Sequence, residues 1–242
     1  MTRNELNTDR SNDLTGTALL DYLAGTTNRK LKVFSSIAET DEIPVRYFFR
    51  TYDEMPLIEQ KALQLCRGRI LDVGAAAGCH SLELQRAGKE VLPVDTSAGA
   101  VEAMHQRGLK AARQADFFNL GDETFDTLLL LMNGIGICGT LDRLDDFFIK
   151  AASLLEPGGQ ILVDSSDILY MHEQDDGSVM IDLNSGYYGE VEYRFGYGRR
   201  KGAAFNWLFV DFDLLADYAG RHGFSCELVL EGEHFDYLAR IL

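Results

Sequence analysis

The sequence predicts an α/β fold in three layers. Its centre is a mostly parallel sheet with an antiparallel C-terminal strand, and an antiparallel hairpin is inserted after the fifth strand. Three observations carry this. Short apolar runs alternate with helix-period segments from Arg69 to Asp164, the pattern of a parallel sheet covered on both faces. Glycine and proline punctuation, Gly68, Gly88 and Pro157-Gly-Gly159, falls between those segments. Beyond them the period changes: Val191, Tyr193, Phe195 and Tyr197, then Phe205, Trp207 and Phe209, occupy every second position around Gly198-Arg-Arg-Lys-Gly202.

Element by element, residues 1 to 13 are polar and expected to be loose. Leu14 to Leu23 predicts a short helix with Leu19, Leu20 and Leu23 on one side. An aromatic-rich stretch from Ile43 ends at Pro56, a good first-turn residue, where a helix opens and runs to near Gly68. Strands follow at Arg69–Val73, Glu90–Asp95, Ala111–Asp116, Phe125–Met132 and Gln160–Asp164, with helices at Cys79–Ala87, Gly99–Arg107 and Asp142–Leu155. Pro93 gives the second strand an irregular or less central place. The hairpin spans about 179–210, a helix covers Asp213–His222, and strands at Ser225–Leu230 and Phe235–Leu242 close the chain. The organisation expected is an N-terminal helical or lid segment, 1–55, followed by one ligand-binding domain, 56–242.

Composition narrows the function classes. The chain has 242 residues, 46% of them hydrophobic, and a net charge of −15. With no Lys/Arg block, nucleic acid, which needs a positive surface, is demoted as a partner though not excluded, and a small molecule is expected instead. Cys66, Cys79, Cys138 and Cys226 make neither a C-x-x-C pair nor a zinc or iron–sulfur spacing, so no metal is expected. Unpaired cysteines and an N-terminus without a signal-type apolar stretch fit a cytoplasmic protein. The longest apolar run, Leu128–Met132, is far too short to span a bilayer.

The informative loop is Leu71-Asp-Val-Gly-Ala-Ala-Ala-Gly-Cys-His80, between the first strand of the alternation and its helix. Small residues there let the backbone approach a ligand, and the amides at the helix start favour a negative group. A tight strand–helix connection would look the same, so the loop gains weight from its spacing. Asp95 ends the next strand about twenty residues on, where a carboxylate accepts ribose hydroxyls. Asp116 and Phe117 fall at the end of the third strand and Asn133 directly after the fourth. All lie on the carboxyl edge of the sheet, where such folds bind ligands.

A nicotinamide enzyme would want G-x-G-x-x-G, but the three positions here are Gly74, Ala76 and Cys79. Asp72-Val-Gly-Ala-Ala-Ala-Gly78, Asp95, Asp116-Phe117, Phe125-Asp126 and Leu155-Glu-Pro-Gly-Gly-Gln-Ile-Leu-Val163 together resemble the ordered motifs of class I, Rossmann-like S-adenosylmethionine (SAM)-dependent methyltransferases. The resemblance covers about residues 44–167 and departs at Ala76, where the family carries glycine. It implies SAM as cofactor and S-adenosylhomocysteine (SAH) as product. Gly74, Ala75, Ala76 and Gly78 would hold the methionine portion, and Asp72 would orient the loop or reach the amino group through water. Asp95, with Thr96 beside it, would bind the ribose; Asp116 and Phe117 would flank the adenine; Asn133 would line the site near the methyl group. The acceptor and any catalytic residue stay open. The D/N-P-P-Y/F signature of nucleic-acid amino-methylating enzymes is absent after the fourth strand.

Other candidate residues keep alternative readings. Tyr47 and Arg50 belong to a lid, with Arg50 on the cofactor's carboxylate, or to an ordinary packed helix. His80 contacts the cofactor or acts as base, or simply faces solvent. Tyr170 and His172 follow strand five at the substrate edge. The hairpin aromatics, Tyr187, Tyr188, Tyr193, Tyr197 and Trp207, wall a substrate pocket, make a homo-oligomer surface, or cover the sheet. Besides methyl transfer, a nicotinamide oxidoreductase and a non-catalytic SAM-binding or interaction module remain as alternative functions.

Overall fold

The computed structural model describes residues 12–26, 28–121, 123–174, 176–181 and 186–242. Residues 1–11 of the polar leader, and 182–185 within the predicted insertion, lie outside the described residues.

The central sheet contains β3 (Arg69–Val73), β4 (Glu90–Asp95), β5 (Arg113–Gln114), β6 (Phe125–Leu130), β7 (Leu155–Ser166), β10 (Cys226–Glu231) and β11 (Asp236–Ile241). Their order is β10-β11-β7-β6-β3-β4-β5. All neighbouring pairs from β7 to β5 are parallel, while β11 runs antiparallel to both β7 and β10. The chain reverses direction across the sheet between β3 and β6, which creates a crevice at their carboxyl ends. The strand at Ala111–Asp116 shrinks to Arg113–Gln114, which pair only with Val94 and Asp95. Pro93 therefore lies where β4 has no partner on that side, and its missing N–H costs no ladder bond.

Residues in β6 alternate between the two helical layers. Leu128 and Leu130 face a core with Phe147, Phe148 and Leu215, on α5 (Leu144–Leu154) and α6 (Phe212–Arg221). Leu129 and Leu131 face the opposite core with Ile58, Ala62 and Leu84, on α2 (Leu57–Leu65) and α3 (Cys79–Arg86). A strand buried on both faces must be apolar at every position, which is why this run is a leucine string.

The N-terminal segment differs from the helical unit expected for 1–55. After α1 (Leu14–Leu23) come β1 (Lys30–Ser35) and β2 (Asp41–Pro44), then a 3₁₀ turn at Val45–Phe49. These strands join the inserted hairpin, β8 (Glu190–Tyr197) and β9 (Arg200–Leu208), in a second antiparallel sheet, β2-β1-β8-β9. Lys32 pairs with Gly196 and Ser35 with Tyr193. β1 and β2 pair as a local hairpin that is marginal alone, and β8 from far along the chain completes the sheet, so local periodicity does not reveal them. Helix α1 crosses α4 (Ala98–Gln106) at Gly16 and Gly99, where a β-carbon on Gly16 would lie 2.6 Å from the Gly99 Cα.

Candidate functional site

The loop after β3 is held from below. Asp72 is 2% exposed and accepts a 2.6 Å hydrogen bond from Ser81 Oγ on α3. Burial raises its carboxyl above the ordinary range, with the His80 charge and Ser81 pulling the other way. The amides of Gly74 and Ala75 both donate to the Val94 carbonyl, tying the loop to β4. Gly74, Ala76 and Gly78 are left-handed, at φ +71°, +48° and +74°. Ala76, the departure from the family pattern, thus adopts the backbone conformation a glycine would favour there.

The two glycines do different work. A β-carbon on Gly74 would meet nothing within 4 Å, so its Cα faces open space at the strand end. A β-carbon on Gly78 would lie 2.3 Å from Leu109 Cδ1 and 3.0 Å from Met104 Cγ. Gly78 therefore lets α3 pack against the interior. Ala75 is likewise buried, among Leu82, Met104 and Leu109.

Asp95 is half-buried at the end of β4. Its Oδ2 accepts from the Ala76 amide at 2.9 Å and its Oδ1 from the Ser97 amide at 2.8 Å. Burial pushes it up to about 6, against the hydrogen bonds of Ser97 and Ala76. Thr96 is exposed, and its carbonyl accepts from Gln114. Next to Asp95, Asp13 caps α1 through the Gly16 amide and also takes the Ser97 hydroxyl and the Gly99 amide, pinning the N-terminal helix to α4. Asp116 caps its own turn through Phe118 N and Asn119 Nδ2. Phe117 is 3% exposed and stacked on Phe147. Its ring belongs to the core, and Phe118, half-buried, is the nearer surface aromatic.

After β6, Met132 and Asn133 are left-handed, at φ +66° and +57°. Asp164 on β7 holds that turn by accepting from the amides of Met132 (3.0 Å) and Gly134 (2.9 Å). Burial pushes Asp164 up to about 6 as well. The Asn133 side chain is committed elsewhere: its oxygen accepts from Ser165 Oγ at 2.9 Å and its nitrogen donates to the Leu208 carbonyl at 3.0 Å. The glycines that follow admit the insertion. A β-carbon on Gly136 would sit 2.0 Å from Trp207 Nε1.

The lid and His80 converge on one buried group. Both Glu59 oxygens lie 2.6 Å from Arg50 Nη2, and Oε2 is also 2.7 Å from His80 Nε2. These three side chains are only 5–6% exposed. Burial disfavours both charges, but the His80 contact and Arg50 outweigh it and lower Glu59. Cys79, the Glu59 hydrogen bond and Asp72 outweigh it at His80 and raise the imidazole well above its ordinary value. The expectation that His80 faces solvent is corrected: it points inward because Glu59 receives it. Tyr47 is 37% exposed, its ring centroid 3.5 Å from the Arg50 guanidinium carbon.

Tyr170 and His172 do not join this group. Tyr170 is exposed and stacked on Phe235, and His172 is edge-on to Tyr188, with Nε2 buried and unpartnered. They lie after β7, near a cleft of about 610 Å³ that Asp167, Asp211, Glu231, Glu233 and Phe235 help to line.

The polar groups fit SAM: open space over Gly74, an accepting carboxylate at the end of β4, and a buried guanidinium whose Nε has no partner among the described residues. Sequence reasoning missed Glu59, which lies in the first turn of an amphipathic helix, and Asp164, which reads as the last residue of a strand.

Residues 71–163 match the family model of a methyltransferase domain. The chain is 46% identical to a SAM-dependent methyltransferase from Bacteroides fragilis, solved in complex with SAH; the match covers 96% of this chain and 94% of that one, with a TM-score of 0.90. The DhpI–SAM–HEP complex (22% identity, 76% of this chain and 84% of that one, TM-score 0.57) shares the fold. So does the CcbJ methyltransferase from Streptomyces caelestis (16% identity, 78% and 93%, TM-score 0.57). No curated protein matches the sequence. The nicotinamide alternative falls with these matches, and the chain belongs to the class I, Rossmann-like SAM-dependent methyltransferases.

Proposed function

We propose that the chain transfers the SAM methyl group to a small-molecule acceptor, with the cofactor held along the carboxyl edge from Gly74 to Asp95. The observation that carries the placement is the open space over Gly74 beside a half-buried Asp95. The bound cofactor supplies an activated methyl group on a sulfonium, so the protein's task is alignment and exclusion of water. Asp95 already binds two amides, and each oxygen keeps a lone pair for a ribose hydroxyl. Gly74 and Ala76 give the methionine portion close approach to the backbone. The N-terminal segment forms the cover, and Arg50 receives the cofactor's carboxylate through its unpartnered Nε. Asn133 contributes through its left-handed backbone, its side chain being taken by Ser165 and Leu208. The acceptor would approach under β9, which roofs this edge where Trp207 packs on Gly136 and the Leu208 carbonyl accepts from Asn133.

Asp95→Ala tests the placement. SAH affinity, measured by calorimetry, should weaken by roughly 1–3 kcal/mol, the loss expected when buried hydrogen-bonded groups are unpaired. Unchanged affinity would remove Asp95 from the site.

A further inference from the structure

The buried group of Arg50, Glu59 and His80 joins three parts of the chain that sequence does not connect. Arg50 follows the 3₁₀ turn of the N-terminal segment, Glu59 sits in the first turn of α2, and His80 is the second residue of α3, just past the cofactor loop. His80 heads the helix that the loop after β3 opens, so its contact with Glu59 anchors the group beside that loop.

One carboxylate is shared between two bases in a region nearly closed to water. A buried ion group of this kind stabilises a fold poorly unless every donor and acceptor is satisfied, because each charge loses its hydration. This one is not fully satisfied. Arg50 Nη2 is bound to Glu59 and Nη1 to the Tyr47 carbonyl at 2.8 Å, while Nε is buried without a partner among the described residues. The Tyr47 ring covers one face of the guanidinium. Its position is therefore fixed from several directions, with one donor left over. An unpaired donor held this firmly marks a place for an acceptor that arrives from outside the chain.

We infer that Glu59 is a positioning residue: it clamps Arg50 of the N-terminal segment to His80 at the head of α3, and so aims the guanidinium at the carboxylate of the bound cofactor. The inference rests on the reading above that Arg50 receives that carboxylate. In this arrangement the cover and the cofactor loop are one mechanical unit. Glu59 touches no ligand; it holds the group that does, and His80 keeps the carboxylate from following Arg50 alone.

The test compares two ligands by calorimetry on the full chain: SAH, and 5′-methylthioadenosine, which has the adenosine and thioether but no amino-acid carboxylate. Glu59→Gln keeps the shape of the side chain and removes its charge. SAH affinity should fall roughly tenfold or more, the scale of a lost charge-assisted hydrogen bond, while 5′-methylthioadenosine stays within about twofold. Arg50→Gln should show the same selective loss. The double variant should bind SAH no more weakly than Arg50→Gln alone, since both changes break one arrangement. A Glu59→Gln variant that binds SAH like the parent, while Arg50→Gln does not, overturns the inference and leaves the Arg50 reading standing. Normal SAH binding by Arg50→Gln overturns both. Should Glu59→Gln also lose 5′-methylthioadenosine, Glu59→Asp decides. It keeps the charge but shortens the reach, so a selective loss of SAH supports the clamp and normal SAH binding refutes it.

Discussion

Gly74 and Gly78 have almost the same left-handed backbone, yet substituting each by alanine should damage different properties. Placing an alanine at φ near +70° costs about 1–2 kcal/mol at either site, and the stiffer unfolded chain returns about 0.4–1 kcal/mol. At Gly74 nothing more is added, because the new methyl group enters open space. At Gly78 the methyl group would lie 2.3 Å from Leu109 Cδ1. Leu109 is 1% exposed and Met104 is fully buried, so neither has room to swing away. Overpacking of this kind costs about 1–3 kcal/mol more. Gly78→Ala should therefore lower stability by roughly 1–4.6 kcal/mol and Gly74→Ala by at most roughly 1.6 kcal/mol. Urea unfolding of the two variants measures the difference directly, and SAH calorimetry on the folded protein measures the other half. Gly74→Ala should weaken SAH binding while Gly78→Ala, where folded, largely keeps it. Equal stability losses, or a Gly74→Ala protein that binds SAH like the parent, would refute this division of labour.

Ala76→Gly relieves a strained alanine at φ +48° and should change stability within about 1 kcal/mol, leaving SAH binding intact; a large loss would mean the methyl group packs against something essential. Gly136→Ala should push the Trp207 ring off the loop after β6 at a cost of about 1–3 kcal/mol; Trp207 is the chain's single tryptophan, so its fluorescence reports the displacement. Asp95 and Asp164 both sit near 6 in the folded protein against an ordinary 3.8, so the folded state holds their protons more tightly. The stability they contribute is complete below pH 3.8 and is lost as pH rises through about 6. Asp164→Asn should make the fall in unfolding free energy across that window shallower, and an unchanged slope in urea titrations would exclude Asp164 as a source.

The parallel core was legible because each of its elements carries its own signal. The leucine string of β6, the apolar face of α5 and the glycine stops declare themselves within a few residues. The turn at Asp72–Gly78 and the place of Asp95 at the end of β4 were legible for a related reason: a strand–turn–helix unit imposes fixed spacings on the chain, and the cofactor role of these residues is proposed on that geometry. Phe117 shows the limit of that reading. Its position at the end of β5 fits an adenine-side residue, but the direction of its ring was decided by Phe147, a neighbour only in space.

What the sequence determined by itself was therefore the order of elements in the parallel core, the tight loop after β3 and the class of chemistry. The tertiary structure decided the rest. It paired β1 with β8, across most of the chain, and turned the expected helical lid into part of a second sheet. It gave Gly78 to packing and Gly74 to open space, although the two read alike in the motif. It also turned Glu59, an unremarked acid on a helix, into the shared partner of Arg50 and His80. The reason is common to all three: periodicity reports what a residue does to its own segment, whereas burial, clash and charge pairing depend on which distant segments fold against it.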